Sequence, residues 1–211
     1  MRAFAVIVAD DHQVVRAGLR QMLDAQDDLT VVAECGTGAE TIQALAGQHC
    51  HVLLLDLSLP DMSGLDVLHH AKSHHADTGI LVLSAYPERQ FGLNVVRAGA
   101  SGFIGKECDE AELLRAIRAV ARGGRYVGAA LAEQLMNGVN GDGGRPLHSL
   151  LSEREFQIFC RLAEGQTSTE IARKLFLSVK TVSTYRSRVL EKMHMRSNAE
   201  IAQYAVKNGL I

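Results

Sequence analysis

Two hydrophobic periods alternate along the first half of the chain. Short apolar runs, Phe4–Ala9, Val52–Leu55, Ile80–Leu83 and Gly102–Gly105, are separated by longer mixed segments. Runs of that length, rich in Val, Ile and Leu, predict strands buried on both faces. In the mixed segments apolar residues recur at helical spacing, near 13–26, 39–46, 64–74, 88–98 and 110–122. Ser63 with Asp66 and Asp109 with Glu112 have the spacing of a capping box and mark two helix starts. Strand followed by helix, five times over, predicts an α/β fold: a doubly wound, five-stranded parallel sheet with strand order 2-1-3-4-5.

Beyond residue 147 the strand period disappears and four helical patterns follow. Three open on a capping-box pair, Ser152 with Glu155, Thr167 with Glu170 and Ser197 with Glu200. The fourth starts at Ser178, just after the preceding helix ends near Lys174, across the tight turn Leu175-Phe-Leu177. Two short helices around such a turn predict a helix-turn-helix within a small all-α domain. Between the halves, Gly123-Gly124 and the cluster from Asn137 to Gly144 read as a flexible linker. A short helix is expected at 126–137, from Leu131, Leu135 and Met136. The predicted organisation is therefore 1–122, a linker 123–147, and 148–211.

The candidate chemistry lies at the strand ends. Asp10, Asp11, Asp56, Ser84 and Lys106 each stand at or just past the C-terminal end of an apolar run. In an open parallel sheet those ends form one rim, where ligands bind. Carboxylates held together repel, and a divalent cation relieves the repulsion; oxygen donors favour Mg2+. At such a rim Asp56 can attack phosphorus, Lys106 can neutralise phosphoryl oxygens and Ser84 can donate a hydrogen bond to one of them. Any one of these residues alone reads as a solvated side chain; together, in this order, they predict a phosphoryl-transfer site.

The segment Asp56-Leu-Ser-Leu-Pro-Asp-Met-Ser-Gly64, with Ala-Asp-Asp11 upstream and Ser84-Ala85 and Gly-Phe-Ile-Gly-Lys106 downstream, resembles the receiver domain of bacterial two-component response regulators. The resemblance covers about residues 1–122. It implies that Asp56 accepts a phosphoryl group from a partner histidine kinase. It also implies that Asp11, Asp56 and the backbone carbonyl of Ser58 ligate Mg2+, with Asp10 acting through water, and that Ser84 and Phe103 are the switch hydroxyl and aromatic. Many receivers place Pro after the lysine; here Glu107 follows Lys106.

The second half is similar to the LuxR-type helix-turn-helix through Leu151-Ser-Glu-Arg-Glu155, Leu-Ala-Glu-Gly165, Glu170-Ile-Ala172 and Leu177-Ser-Val-Lys-Thr-Val182, over about residues 148–211. Tyr185 stands where that family often has His. The two halves together resemble the NarL/FixJ class of response regulators. The function implied is a phosphorylation-switched transcription regulator that binds double-stranded DNA as a homodimer and catalyses only its own phosphorylation and dephosphorylation.

The helix from Ser178 has a clear polarity. Val182, Val189 and Met193 share one side, and Lys180, Thr184 and Arg188 the other, with Thr181 and Tyr185 on the flanks. Lys180 and Thr181, at its start, are placed to reach base edges; Arg186, Arg188 and Lys192 are placed for the DNA backbone. Ile201, Tyr204, Ala205 and Asn208 on the last helix are expected to pair two copies of the domain, with packing on their own domain as the alternative.

Charge agrees with this division. Residues 147–211 carry 10 Lys/Arg against 6 Asp/Glu, and the rest 12 against 18, so a basic end suited to a polyanion follows an acidic front. The start of the chain is too short and too soon acidic for a signal peptide, and no apolar run reaches membrane-spanning length. The four cysteines lack metal spacing and suit a reducing cytoplasm. His69, His70, His74 and His75 cluster on one predicted helix, with His70 and His74 spaced like a metal pair; no third ligand is apparent, and a solvated face accounts for them.

Two other functions fit parts of the chain. A haloacid-dehalogenase-like phosphatase needs a general acid two residues after its nucleophile, where this chain has Ser58. An autoinducer sensor of the LuxR type leaves the acidic pair, Asp56 and Lys106 without a role.

Overall fold

The computed structural model describes residues 3–85, 88–128, 131–133, 146–175, 177–208 and 210. The chain divides into two compact units, Met1–Asp142 and Gly143–Ile211.

In the first unit, β1 (Phe4–Ala9), β2 (Leu29–Cys35), β3 (Val52–Leu55), β4 (Gly79–Ser84) and β5 (Gly102–Gly105) alternate with α1 (Gln13–Asp24), α2 (Gly38–Gly47), α3 (Gly64–His74), α4 (Glu88–Arg97) and α5 (Glu110–Ala121). The sheet is parallel, in the expected order β2-β1-β3-β4-β5. Every residue of β3 is buried, as its unbroken apolar run requires. Pairing Ala9 with Leu55, and Ser84 with Gly105, brings the ends of β1 and β3 level, and likewise those of β4 and β5.

Two helix starts differ in detail from the capping-box expectation. The Ser63 hydroxyl accepts from the Leu65 amide rather than that of Asp66. Asp109 accepts from the Glu112 amide, but the Glu112 carboxylate accepts from the Tyr126 hydroxyl instead of closing the box. Tyr126 lies just past Gly123-Gly124, yet the chain there stays on the first unit: Tyr126 bridges to Gly102 in the parallel sense. Of the short helix expected at 126–137, residues 131–133 are helical, while Leu135, Met136 and the cluster 137–144 lie outside the described residues.

The second unit has a 3-10 turn (Leu147–Leu150) followed by α6 (Glu153–Ala163), α7 (Ser168–Lys174), α8 (Val179–Lys192) and α9 (Asn198–Lys207). Complete capping boxes start α6 at Ser152 with Glu155 and α7 at Thr167 with Glu170. Ser197 accepts from the Glu200 amide, whereas the Glu200 carboxylate reaches back one residue further, to the Arg196 amide. α6 packs against α8 and α9, and α7 against α8. Val182, Val189 and Met193 are buried as the helical period predicts; Phe176, in the expected turn, lies outside the described residues.

One expectation is corrected by this packing. Of the α9 residues assigned to pairing two copies, Ile201 and Ala205 are taken up by their own domain, Tyr204 is half-buried there and Asn208 stays exposed. Ile201 and Ala205 are fully buried, and the Tyr204 ring meets Phe159 edge-on while its hydroxyl lies 3.0 Å from His148 Nδ1. A short amphipathic helix has one apolar face, and a domain this small needs it for its core.

Candidate functional site

Asp10 and Asp56 continue β1 and β3 by one residue each, and the Asp56 amide donates to the Ala9 carbonyl at 2.8 Å. Lys106 follows β5, its amide donating to the Ser84 carbonyl, also at 2.8 Å. Short strand extensions therefore gather four separate stretches at one rim. The Lys106 ammonium spans it, 2.5 Å from Asp10 Oδ2 and 2.7 Å from Asp56 Oδ2. Both carboxylates are almost entirely buried, with side chains 2% and 4% exposed, and Lys106 is 19% exposed. Asp11 is the accessible member.

Burial pushes the Asp56 carboxyl up, and neighbouring Asp10 adds to that, against the opposing pull of Lys106 and the Ser58 amide. Lys106 feels burial in the opposite sense, but Asp56 and Asp10 outweigh it and hold the ammonium charged. One lysine thus faces more negative charge than it can neutralise. Ligand atoms of Asp10, Asp11, His12 and Asp56 lie within 4.8 Å of one another, compared with about 4 Å between opposite ligands of an octahedral magnesium ion. Their oxygen donors fit a hard divalent cation after a small contraction.

The structure adds residues that sequence reasoning missed. His12 Nδ1 lies 2.6 Å from Asp11 Oδ1, and the His12 amide donates to Asp10 Oδ1 at 2.8 Å. Its only signal was adjacency to the acidic pair. Arg16, one turn later, donates to the Asp10 carbonyl. Asp61 accepts from the Gly38 and Ala39 amides at 2.7 and 2.9 Å, so the loop after Asp56 caps the N-terminus of α2. Nothing local in the sequence links residue 61 to residue 38.

Gly64 closes that loop, its amide donating to the Leu57 carbonyl. A Cβ there would stand 2.5 Å from Leu57 Cα and 2.7 Å from the Asp56 carbonyl oxygen, both backbone atoms that cannot rotate away. Gly64→Ala is expected to destabilise the unit by about 1–3 kcal/mol, as overpacking does. A denaturant midpoint equal to that of the unsubstituted chain would show that the loop yields.

Phe103, on β5, is fully buried. Lys106 is followed by Glu107, and no peptide among the described residues is cis. The histidines of α3 do not converge on a metal position: His70 and His74 stack ring on ring at 4.2 Å, and His74 Nδ1 lies 3.0 Å from the His70 carbonyl oxygen. Among the described residues the only candidate metal group is the one at the rim.

In the second unit, Lys180, Thr184 and Arg188 are exposed along α8, with Thr181 and Tyr185 half-buried beside them. The Thr181 hydroxyl lies 2.7 Å from that of the N-cap Ser178, and the Arg188 guanidinium 5.8 Å from the Tyr185 ring centre. Two basic residues expected at DNA backbone have partners within their own domain. Arg186 donates to Asn198 Oδ1 at 2.7 Å. Lys192 is 2.7 Å from Glu155 Oε2, the same carboxylate oxygen that accepts from the Ser152 amide and closes the α6 capping box.

A family model described as the response regulator receiver domain matches residues 6–118, which span the whole rim. The chain belongs to the response-regulator family. A second model, of the luxR family of bacterial regulatory proteins, matches residues 149–205 of this response regulator. It is 35% identical over 213 residues to the oxygen regulatory protein NreC of Staphylococcus carnosus (strain TM300), covering 98% of each chain. Among solved structures it is similar to RcsB from Salmonella enterica serovar Typhimurium bound to promoter rprA in the presence of phosphomimetic BeF3-, with 28% identity, a TM-score of 0.65, and 96% of this chain and 98% of that chain covered. A structure of two RcsB dimers bound to two parallel DNAs matches at 26% identity and a TM-score of 0.60, over 97% and 98%. This response regulator therefore joins a receiver domain to a LuxR-type DNA-binding domain, the build of a phosphorylation-switched transcription regulator. Among its described residues no helix is long and apolar enough to cross a membrane.

Proposed function

We propose that Asp56 is the phosphoacceptor of this regulator, supplied by a cognate sensor histidine kinase in the cytoplasm. The observation that carries the assignment is the Lys106 ammonium held between Asp56 and Asp10 at 2.7 and 2.5 Å. An Asp56 carboxylate oxygen attacks phosphorus, the phosphorus–nitrogen bond of the donor phosphohistidine breaks, and the imidazole leaves with the electron pair. Lys106 stays beside the new acyl phosphate and offsets its charge; the Ser84 hydroxyl, at the end of β4, turns to a phosphoryl oxygen. Mg2+, held by Asp11, Asp56 and the Ser58 carbonyl with Asp10 acting through water, would supply the remaining neutralisation of charge.

Drawing Ser84 toward the phosphoryl group frees room for Phe103, fully buried here, to turn toward the core. That movement alters the surface formed by α4, β5 and α5 and, through it, DNA binding. Lys180 and Thr181 meet base edges in the major groove, with Thr184, Tyr185 and Arg188 alongside, and two copies bind together. The RcsB dimers on DNA support that last element. Lys192 pairs with Glu155 here, and a contact to the DNA backbone would draw its ammonium out of that pair.

The switch is tested by comparing phosphorylated and unphosphorylated protein. Phosphorylation is expected to change DNA affinity or the mass in solution. Equal affinity together with equal mass would sink the switch, even if Asp56 is labelled.

A further inference from the structure

We propose that residues 125–128 form a strap that senses the position of the Phe103 ring and passes it to the linker. The proposal rests on the reading of Phe103 as the switch aromatic. β5 is the edge of the sheet, and an edge strand normally leaves a row of backbone groups open to solvent. Here the strap covers part of that edge. The Tyr126 amide donates to the Ser101 carbonyl at 2.9 Å, and the Phe103 amide donates to the Tyr126 carbonyl at 3.3 Å. The contact is close enough to require glycine at 102, where a Cβ would stand 2.4 Å from the Tyr126 carbonyl oxygen.

Each end of the strap is fastened to a different helix. The Tyr126 hydroxyl donates to Glu112 Oε1 of α5 at 2.9 Å, and the Gly128 amide donates to Glu88 Oε1 of α4 at 2.8 Å. Phe103, Ile104 and Cys108 line a cavity of about 260 Å³ together with Tyr126 and Gly128 of the strap. Phe103 is fully buried in this structure and the strap is docked. Turned outward, the ring enters the cavity and contests it with Tyr126 and Gly128. Docked strap and inward ring therefore stabilise one another, and such coupling is reciprocal. A phosphoryl group that holds the ring inward tightens the strap and anchors the start of the linker; without it the strap loosens and the tether to the second unit lengthens.

Hydrogen exchange of the full chain, with Mg2+ and with or without beryllium fluoride as the phosphoryl mimic, reads this directly. Beryllium fluoride is expected to slow exchange of the Tyr126 and Gly128 amides by about 5-fold or more, the low end of ordinary coupling between sites. Ser84→Ala gives up a hydrogen bond to the mimic, so it is compared at concentrations that saturate it, where it should lose the slowing. Gly102→Ala lifts the strap from a position away from the acceptor rim, and should weaken beryllium fluoride binding by the factor through which the mimic slows strap exchange in the unsubstituted chain. Should Gly102→Ala fail to fold, Tyr126→Phe removes one strap bond without adding bulk and should shift both readouts in the same direction. Exchange at 126 and 128 that is unchanged or faster with the mimic bound overturns the strap and leaves the acceptor site standing. No binding of the mimic overturns the acceptor reading and the strap with it, and slowing that persists in Ser84→Ala overturns the route through the ring.

Discussion

Asp56→Asn is expected to reduce Mg2+-dependent labelling by a small acyl phosphate donor from stoichiometric to background. An amide oxygen is no nucleophile toward phosphorus, and Asp10, equally buried beside the same lysine, is assigned to the metal through water rather than to the attack. The loss should leave the fold intact. Burial pushes the Asp56 carboxyl above its ordinary range, and an acid whose folded value exceeds its unfolded one opposes folding once it is ionised. Removing its charge at neutral pH is therefore expected to leave the thermal midpoint equal or raised. Stoichiometric labelling of the variant would move the phosphoacceptor elsewhere. A collapse of its thermal midpoint would instead show that the Lys106–Asp56 pair supports the fold more than burial opposes it. Asp11→Asn removes the accessible carboxylate and should slow labelling without abolishing it, and chelating Mg2+ should stop labelling of the unsubstituted chain.

Two lysines of α8 are expected to fail in different ways. Lys180→Ala removes an exposed cation at the start of the recognition helix, and should relax preference at one or two base positions at a cost of about 1–3 kcal/mol for a bidentate contact to guanine. Its stability should match that of the unsubstituted domain. Lys192→Ala removes the partner of Glu155, whose side chain is 4% exposed, and leaves a buried carboxylate with only the Ser152 amide and the helix start to satisfy it. That should cost about 1–3 kcal/mol of stability, the usual penalty for a buried polar group short of a partner, reduced because the Lys192 side chain is itself 42% exposed. DNA titrations across a salt series separate the two. Lys192→Ala with an unchanged midpoint and a salt slope shallower by about one unit would return that lysine to the DNA backbone.

Period and local chemistry carry most of the architecture, and both can be read along the chain. β3 is four consecutive apolar residues because both its faces are covered, and that alone distinguishes it from the helical spacing of α3 that follows. The starts of α6 and α7 were legible because a capping box involves residues three apart, so donor and acceptor sit within one reading window. The acceptor rim was legible for a related reason. A residue directly after a buried parallel strand emerges at the sheet's carboxyl edge, so Asp10, Asp56 and Lys106 could be placed together without knowing any distance.

What escaped that reading depends on which residue wins a shared partner, and pairing over long sequence separations has no period. Glu112 was assigned to close its own helix start, but Tyr126, fourteen residues on, takes its carboxylate. Lys192 is placed at the DNA backbone by its position along the helix, yet its long side chain reaches Glu155, thirty-seven positions away, because α6 and α8 pack side by side. The apolar face of α9 was assigned to a second copy, and its own domain buried it first. Asp61 meets the start of α2 only because the loop after β3 folds over it. In each case a polar or apolar group inside a packed domain had to be satisfied or buried, and only the arrangement of neighbouring elements decided which partner was near enough to do it.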